Sequence, residues 1–148
     1  MEETLHGDCH NLTVSAVAES IPAILKFTKN ILITMGFDKH GIFDVQTAVD
    51  EACINIINHG YEKGQNGTID IKVKKTEAGF VIVIQSRGKP FSPESVVQPD
   101  LTSSVSERRV GGLGVYFINQ LMDKVSYECE DGLNTLTMRK YRNSDKLQ

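Results

Sequence analysis

Cysteine is scarce in this chain of 148 residues, and none of its three cysteines, Cys9, Cys53 and Cys129, stands in a CxxC pair. That scatter offers neither a disulfide framework nor a zinc knuckle, so free and mostly buried thiols are expected. The four histidines, His6, His10, His40 and His59, lack metal-ligand spacing as well. His6 and His10 are four apart and would share a helical face, but the alternation that follows them argues strand, and a metal centre is set aside. Long apolar runs are missing too. No stretch approaches the roughly 20 residues of a membrane helix, and the Met1-Glu2-Glu3 start lacks the charged and apolar regions of a signal peptide. A cytoplasmic protein with no membrane partner is expected. Basic excess is also lacking: 16 Lys and Arg stand against 19 Asp and Glu, a net charge of −3. Such a chain has no field that would hold nucleic acid by counterion release.

What is present is an apolar fraction of 40%, enough for one compact domain over residues 1–148, since soluble domains commonly run to roughly 100–150 residues. Leu12, Val14 and Ala16 alternate with polar neighbours as a short strand does. From Glu19 to Met35, Ile21, Ile24, Leu25, Thr28, Ile31, Leu32 and Met35 recur at three and four, and Gly36 follows as a C′ residue, so an amphipathic helix is expected there. A second helix is expected from Ile42 to Asn58, with Val45, Val49, Ala52, Cys53, Ile56 and Ile57 as its apolar stripe. Thr68 to Lys74 and Phe80 to Ile84 read as a hairpin around Glu77-Ala78-Gly79.

The segment from Ser86 to Gly112 is rich in Ser, Pro, Gly and charge, and far exceeds the usual connection of about 4–6 residues. Loops of that length in compact domains are commonly functional. Helical spacing returns with Val115, Ile118, Leu121 and Met122. Val125 to Cys129 and Leu133 to Met138 close the chain as a hairpin around Glu130-Asp131-Gly132, followed by a polar tail frayed over 141–148. The order β-α-α-β-β-loop-α-β-β carries no repeat. It predicts an α+β fold: a two-layer sandwich with helices on one face of a mixed, mostly antiparallel sheet.

Two features carry chemistry. Glu51, Asn55 and Asn58 lie at i, i+4 and i+7 of the second helix and share a face. By spacing alone, that face reads as the solvated side of an amphipathic helix. Gly111, Gly112 and Gly114 precede a helix, where glycine lets an anion approach backbone N–H groups and the helix N-terminus supplies partial positive charge. A flexible linker ending in a cap is the bland alternative. The sequence lacks GxxxxGK[ST], so this is no P-loop.

Three segments in this order carry a resemblance: Asp50-Glu51-Ala52-Cys53-Ile54-Asn55-Ile56-Ile57-Asn58-His59-Gly60-Tyr61; Ser86-Arg87-Gly88-Lys89-Pro90-Phe91; and Gly111 through Val125, opening Gly111-Gly112-Leu113-Gly114. The chain resembles the GHKL ATPases, the Bergerat-fold superfamily of gyrase, heat-shock chaperones, histidine kinases and mismatch-repair proteins, and within it the anti-sigma-factor serine/threonine kinases. The first and third segments are specific in combination, and the second is partial. The likeness runs from the first strand to Lys140.

That resemblance implies ATP and Mg²⁺ as cofactors. It casts Asn55 as the Mg²⁺ ligand, an amide oxygen sufficing beside phosphate oxygens and water. It casts Glu51 as the general base that takes the proton from a serine or threonine hydroxyl attacking the γ-phosphate. Gly111, Gly112, Leu113 and Gly114 would donate backbone N–H groups to the phosphates under a lid over about 91–111. Asn58, His59, Gly88, Phe91 and Arg109 complete the implied nucleotide-binding set. Arg108 and Arg109 read equally as a solvated charge pair or as phosphate partners.

Ser86 departs from the family pattern. Family members use the aspartate of an Asp-x-Gly segment to accept a hydrogen bond from the adenine amino group, and this chain has Ser86-Arg87-Gly88. Losing a charge-assisted hydrogen bond of about 1.5–3 kcal/mol weakens binding by roughly one to two orders of magnitude. Thr137 corresponds to a family threonine near the adenine and would partly compensate. The resemblance implies a kinase of an anti-sigma-factor antagonist protein in a partner-switching system, with a sigma factor as a further partner. Homodimers are common in that branch, but no surface in the sequence reads as a dimer face. The alternative is a binding module that keeps the fold without phosphorylating its partner. A detached histidine-kinase catalytic domain fits less well, because Gly112-Leu113-Gly114 and Leu121-Met122-Asp123 look more like the anti-sigma branch.

Overall fold

The computed structural model describes residues 2–6, 9–61, 66–89 and 118–142. Strands β1 (Glu2–His6) and β2 (Cys9–Ser15) lead through a 3₁₀ turn at Ala18–Ser20 into helices α1 (Ile21–Thr34) and α2 (Lys39–Asn55). A π turn at Ile56–Gly60 follows, then β3 (Thr68–Lys75), β4 (Gly79–Arg87), β5 (Lys124–Glu130) and β6 (Leu133–Tyr141). Residues 118–121 are helical.

The two helices are joined by tight end chemistry. Gly36 adopts φ 87°, a conformation that side chains with a Cβ resist. There its N–H donates to the Ile33 carbonyl and that of Phe37 to Leu32, both at 3.1 Å. This is a Schellman closure, which satisfies the last carbonyls of α1. One residue further on, the Asp38 carboxylate accepts from the Gly41 N–H at 2.8 Å and caps α2. α2 therefore starts at Lys39, earlier than the apolar stripe indicates, because a cap rather than an apolar residue marks its first turn. The Phe37 ring meets Phe80 edge-on, with centroids 5.0 Å apart, and so pins the α1–α2 corner to the sheet.

The six strands are ordered β1-β2-β3-β4-β6-β5. Every one of these pairings is antiparallel, so the sheet has no parallel component among the described strands. β3 shows the logic of the layers: Ile69, Ile71 and Val73 are buried while Thr68, Asp70, Lys72 and Lys74 are exposed, the period-2 pattern of a sheet covered on one face. The register sets Leu12, Ile71, Ile84 and Leu136 in one row across the sheet, and Val73, Ile82, Met138 and Val125 in the next. These rows meet Ile24, Phe27, Ile31 and Leu32 of α1 and Val45, Ala48, Val49 and Ala52 of α2 in one buried cluster. The two-layer α+β arrangement expected from the sequence is the one observed.

Three local expectations are revised. β1 was not legible in the sequence: Glu2-Glu3-Thr4-Leu5-His6 has a single apolar residue, and an edge strand needs no alternation to pair with β2. At the other end β6 continues through Tyr141, which pairs with Gly79, so the ordered sheet reaches into the expected tail. The second helix loses α geometry at Ile56, and its last residues form the π turn.

Candidate active site

Asp44, Glu51 and Asn55 lie on one face of α2, at spacings of seven and four. Glu51 is half-buried, and partial desolvation raises its carboxyl above the ordinary glutamate range, with the neighbouring Asp50 charge adding to the rise. Burial raises Asp50 in the same direction.

Asn55 is only 9% exposed. It stands at the start of the π turn without a side-chain capping bond, and its amide makes no hydrogen bond to the described residues. A buried amide is ordinarily hydrogen-bonded within the protein. Here its oxygen remains available to a ligand, and one turn after the half-buried Glu51 an amide oxygen suits a hard cation such as Mg²⁺. π turns of this kind recur at functional positions inside helices. The widened turn also undoes the simple i+7 alignment: Asn58 and His59 are exposed, unlike Asn55.

The end of α2 is fastened to the end of β4. The Lys89 N–H donates to the Gly60 carbonyl at 2.6 Å. The Tyr61 hydroxyl accepts from the Arg87 N–H at 3.1 Å and donates to the Thr68 carbonyl at 2.9 Å, tying β3 into the same corner. A Cβ on Gly88 would overlap the Gly60 carbonyl oxygen and press on the Tyr61 ring at 3.1 Å. Gly88 is thus required by the approach of the helix end to the strand, a reason that stands whether or not a base lies nearby. The first two motif segments, far apart in sequence, form one corner.

Ser86 faces the helix-covered side of β4 in the same alternation as Phe80, Ile82 and Ile84, and is 7% exposed. Its partner across β6 is Asn134, 6% exposed. The Asn134 carbonyl oxygen accepts from the Tyr127 hydroxyl at 2.9 Å, and its amide N–H donates to the carbonyls of Lys89, at 3.3 Å, and Gly88, at 3.5 Å. Thr137 pairs with Val83 and Ser126, one register step out of phase with Leu136 and Met138, so it lies on the opposite face of the sheet. The structure does not bring Thr137 to Ser86; Asn134 occupies that place. Asn134 was legible in principle, since it shares the parity of Leu136 and Met138 while Thr137 does not. Phe91, Arg109, Gly111, Gly112, Leu113 and Gly114 lie outside the described residues.

A family model described as a histidine kinase-like ATPase domain matches residues 14–140, taking in α1, α2 and strands β3 to β6. The chain belongs to that family. Among curated members, it is 30% identical to the serine-protein kinase RsbW of Halalkalibacterium halodurans over 140 residues, covering 92% of this chain and 85% of the relative. It is 29% identical to RsbW of Bacillus subtilis, covering 96% and 91%, and 32% identical to RsbW of Staphylococcus aureus, covering 95% and 91%. A crystal structure of the RsbU and RsbW domains of Rv1364c from Mycobacterium tuberculosis superposes with a TM-score of 0.63 over 88% of this chain at 17% identity, which speaks to the fold. The chain spans about a third of that longer protein, 32%. Among the described residues no helix is long and apolar enough to cross a membrane.

Proposed function

We propose that this histidine kinase-like ATPase domain is an Mg·ATP-dependent serine/threonine kinase that phosphorylates a small antagonist protein in a partner-switching system, with a sigma factor as the regulated partner. The observation that carries the reading is the α2 face, where half-buried Glu51 precedes by one turn a buried Asn55 whose amide makes no hydrogen bond to the described residues. Relatives about 30% identical over most of their length bear the name serine-protein kinase.

In the reaction, a serine or threonine hydroxyl of the antagonist attacks the γ-phosphorus. The bond to the β–γ bridging oxygen breaks, ADP leaves with that electron pair, and the hydroxyl proton passes to the Glu51 carboxylate. The desolvated setting of Glu51 makes it a better proton acceptor than a solvated glutamate, because a raised pKa is greater basicity in the ionised form. Asn55 would hold Mg²⁺, which supplies charge neutralisation on the phosphate oxygens when bound. The Gly111–Gly114 turn is assigned to the phosphates and Ser86 to the base end, with Gly88 keeping the corner closed.

Incubation of the full chain with a candidate antagonist and labelled ATP tests this. Phosphoserine or phosphothreonine on the antagonist, lost in Glu51→Ala, is the expected result; none under saturating Mg·ATP would overturn the kinase reading. A second reading, a docking module without phosphotransfer, is favoured by one observation, the uncharged Ser86. It predicts no nucleotide binding at millimolar ATP by calorimetry.

A further inference from the structure

Within the nucleotide-site reading on which it rests, the geometry at the β4–β6 end points to a base subsite that we infer accepts 6-oxo purines as well as 6-amino purines, so that guanine and hypoxanthine nucleotides bind alongside adenine ones. Both side chains at this end are neutral: Ser86 and Asn134 face each other across the strand pair and are each more than nine-tenths buried. Their hydrogen-bonding capacity is unequal. Asn134 is occupied through both ends of its amide, by the Tyr127 hydroxyl on one side and by the Lys89 and Gly88 carbonyls on the other. The Ser86 hydroxyl makes no hydrogen bond to the described residues.

A hydroxyl rotates, and it either accepts from an exocyclic amine or donates to a carbonyl oxygen. A carboxylate in the same place only accepts, so it favours the 6-amino group and repels a 6-oxo group. Polar sites that reject an analogue do so by leaving a buried group unpaired or opposed. Ser86 leaves neither purine opposed. The neighbouring cation does not restore discrimination: Arg87 belongs to the exposed face, where its guanidinium donates to the Asp131 carbonyl at 3.4 Å. The other side of the corner is closed by the Gly60 carbonyl and the Tyr61 ring lying against Gly88, and neither of these groups carries a charge.

Calorimetric titration of the full chain with ATP, GTP and ITP in the presence of Mg²⁺ tests the inference. The expected result is dissociation constants for the three within about tenfold of one another, and a shift of at least about tenfold toward ATP in Ser86→Asp. GTP and ITP binding more than about a hundredfold weaker than ATP would overturn the inference and leave the nucleotide reading standing. Failure of all three to bind would overturn both. If Ser86→Asp folds, as judged by its circular dichroism and melting, and keeps the wild-type ratio, Ser86 does not read the base. The wild-type ratio decides the matter by itself should that variant fail to fold.

Discussion

The Lys140 ammonium, on the helix-covered face of β6, donates to the Leu121 carbonyl oxygen at 2.5 Å. It also stands 3.9 Å from the Asp44 carboxylate of α2. A lysine only 6% exposed in a strand row shared with Leu136 and Met138 is costly unless its charge is answered. Here one group closes three elements: the end of the helical turn at 118–121, the last strand, and the α2 face that carries Glu51 and Asn55.

Lys140→Met is therefore expected to destabilise the fold by about 1–3 kcal/mol, since the Leu121 carbonyl loses a charge-assisted donor and Asp44 loses its nearest buried cation. Asp44→Asn should cost less, because the lysine keeps the carbonyl. Urea unfolding of the two single variants and the double variant gives the coupling. A Lys140→Met variant as stable as wild type would show that the ammonium contributes no net stability.

Gly88→Ala separates a structural role from a ligand role. Its new Cβ has nowhere to go without displacing the Gly60 carbonyl, so the variant is expected to melt several degrees below wild type with no nucleotide present. Tyr61→Phe should show a smaller loss of about 1 kcal/mol, as the hydroxyl serves both the Arg87 N–H and the Thr68 carbonyl. Melts of the apo proteins check both. If Gly88→Ala melts with wild type and differs only when nucleotide is added, the helix–strand approach is not what requires glycine.

How much of this was legible in the sequence depended on whether a feature is local. The helices, the two hairpins and the two-layer packing follow from periodicity, and the Asp131-Gly132 turn, with φ of 52° and 79°, is the two-residue kind that its sequence advertises. Spacing sets Glu51 and Asn55 on one helical face, but by itself that face reads as solvated, and only the family resemblance gives the two residues their roles. The Tyr61–Gly88 corner was not, because it joins residues separated by the whole of β3 and β4, and no single window contains it. The family resemblance sets Thr137 at the base end, whereas the strand's own alternation turns it to the opposite face. Counting in twos from Leu136 and Met138 puts Asn134 there instead, and counting on to Lys140 would have flagged a buried lysine.

Asn55→Ala tests the metal-ligand assignment in a way that a structural asparagine would not satisfy. Since the amide makes no hydrogen bond to the described residues, its removal should shift the melting temperature little. Mg²⁺-dependent ATP binding should nevertheless weaken by about tenfold or more, the scale of one lost ligand interaction. Calorimetry with and without Mg²⁺, beside a melt of the same preparation, reads both. A large fall in stability with unchanged Mg²⁺ dependence would place Asn55 among structural residues.

The raised carboxyls of Glu51 and Asp50 predict opposite pH trends for stability and activity. A group whose folded pKa lies above its unfolded value holds its proton more tightly in the folded state. For Glu51, with an ordinary value of 4.5, that stabilisation is complete below the unfolded pKa and is lost as pH rises through the higher folded value. At pH 7 the ionised carboxylate is thus a standing cost, which Glu51→Gln removes. That variant is expected to melt above wild type at pH 7, and the gap should close as the pH falls well below 4.5, where Glu51 is protonated in both states. Phosphotransfer by the wild type should rise with pH along a limb lying above 4.5, because the base must be ionised to accept the hydroxyl proton. Asp50→Asn should move that limb down, since the Asp50 charge is the second cause of the rise. Rate–pH profiles of the two proteins, with melts of Glu51→Gln at neutral and acid pH, check the pair of trends. A rate limb that stays fixed in Asp50→Asn would detach Glu51 from the proton transfer.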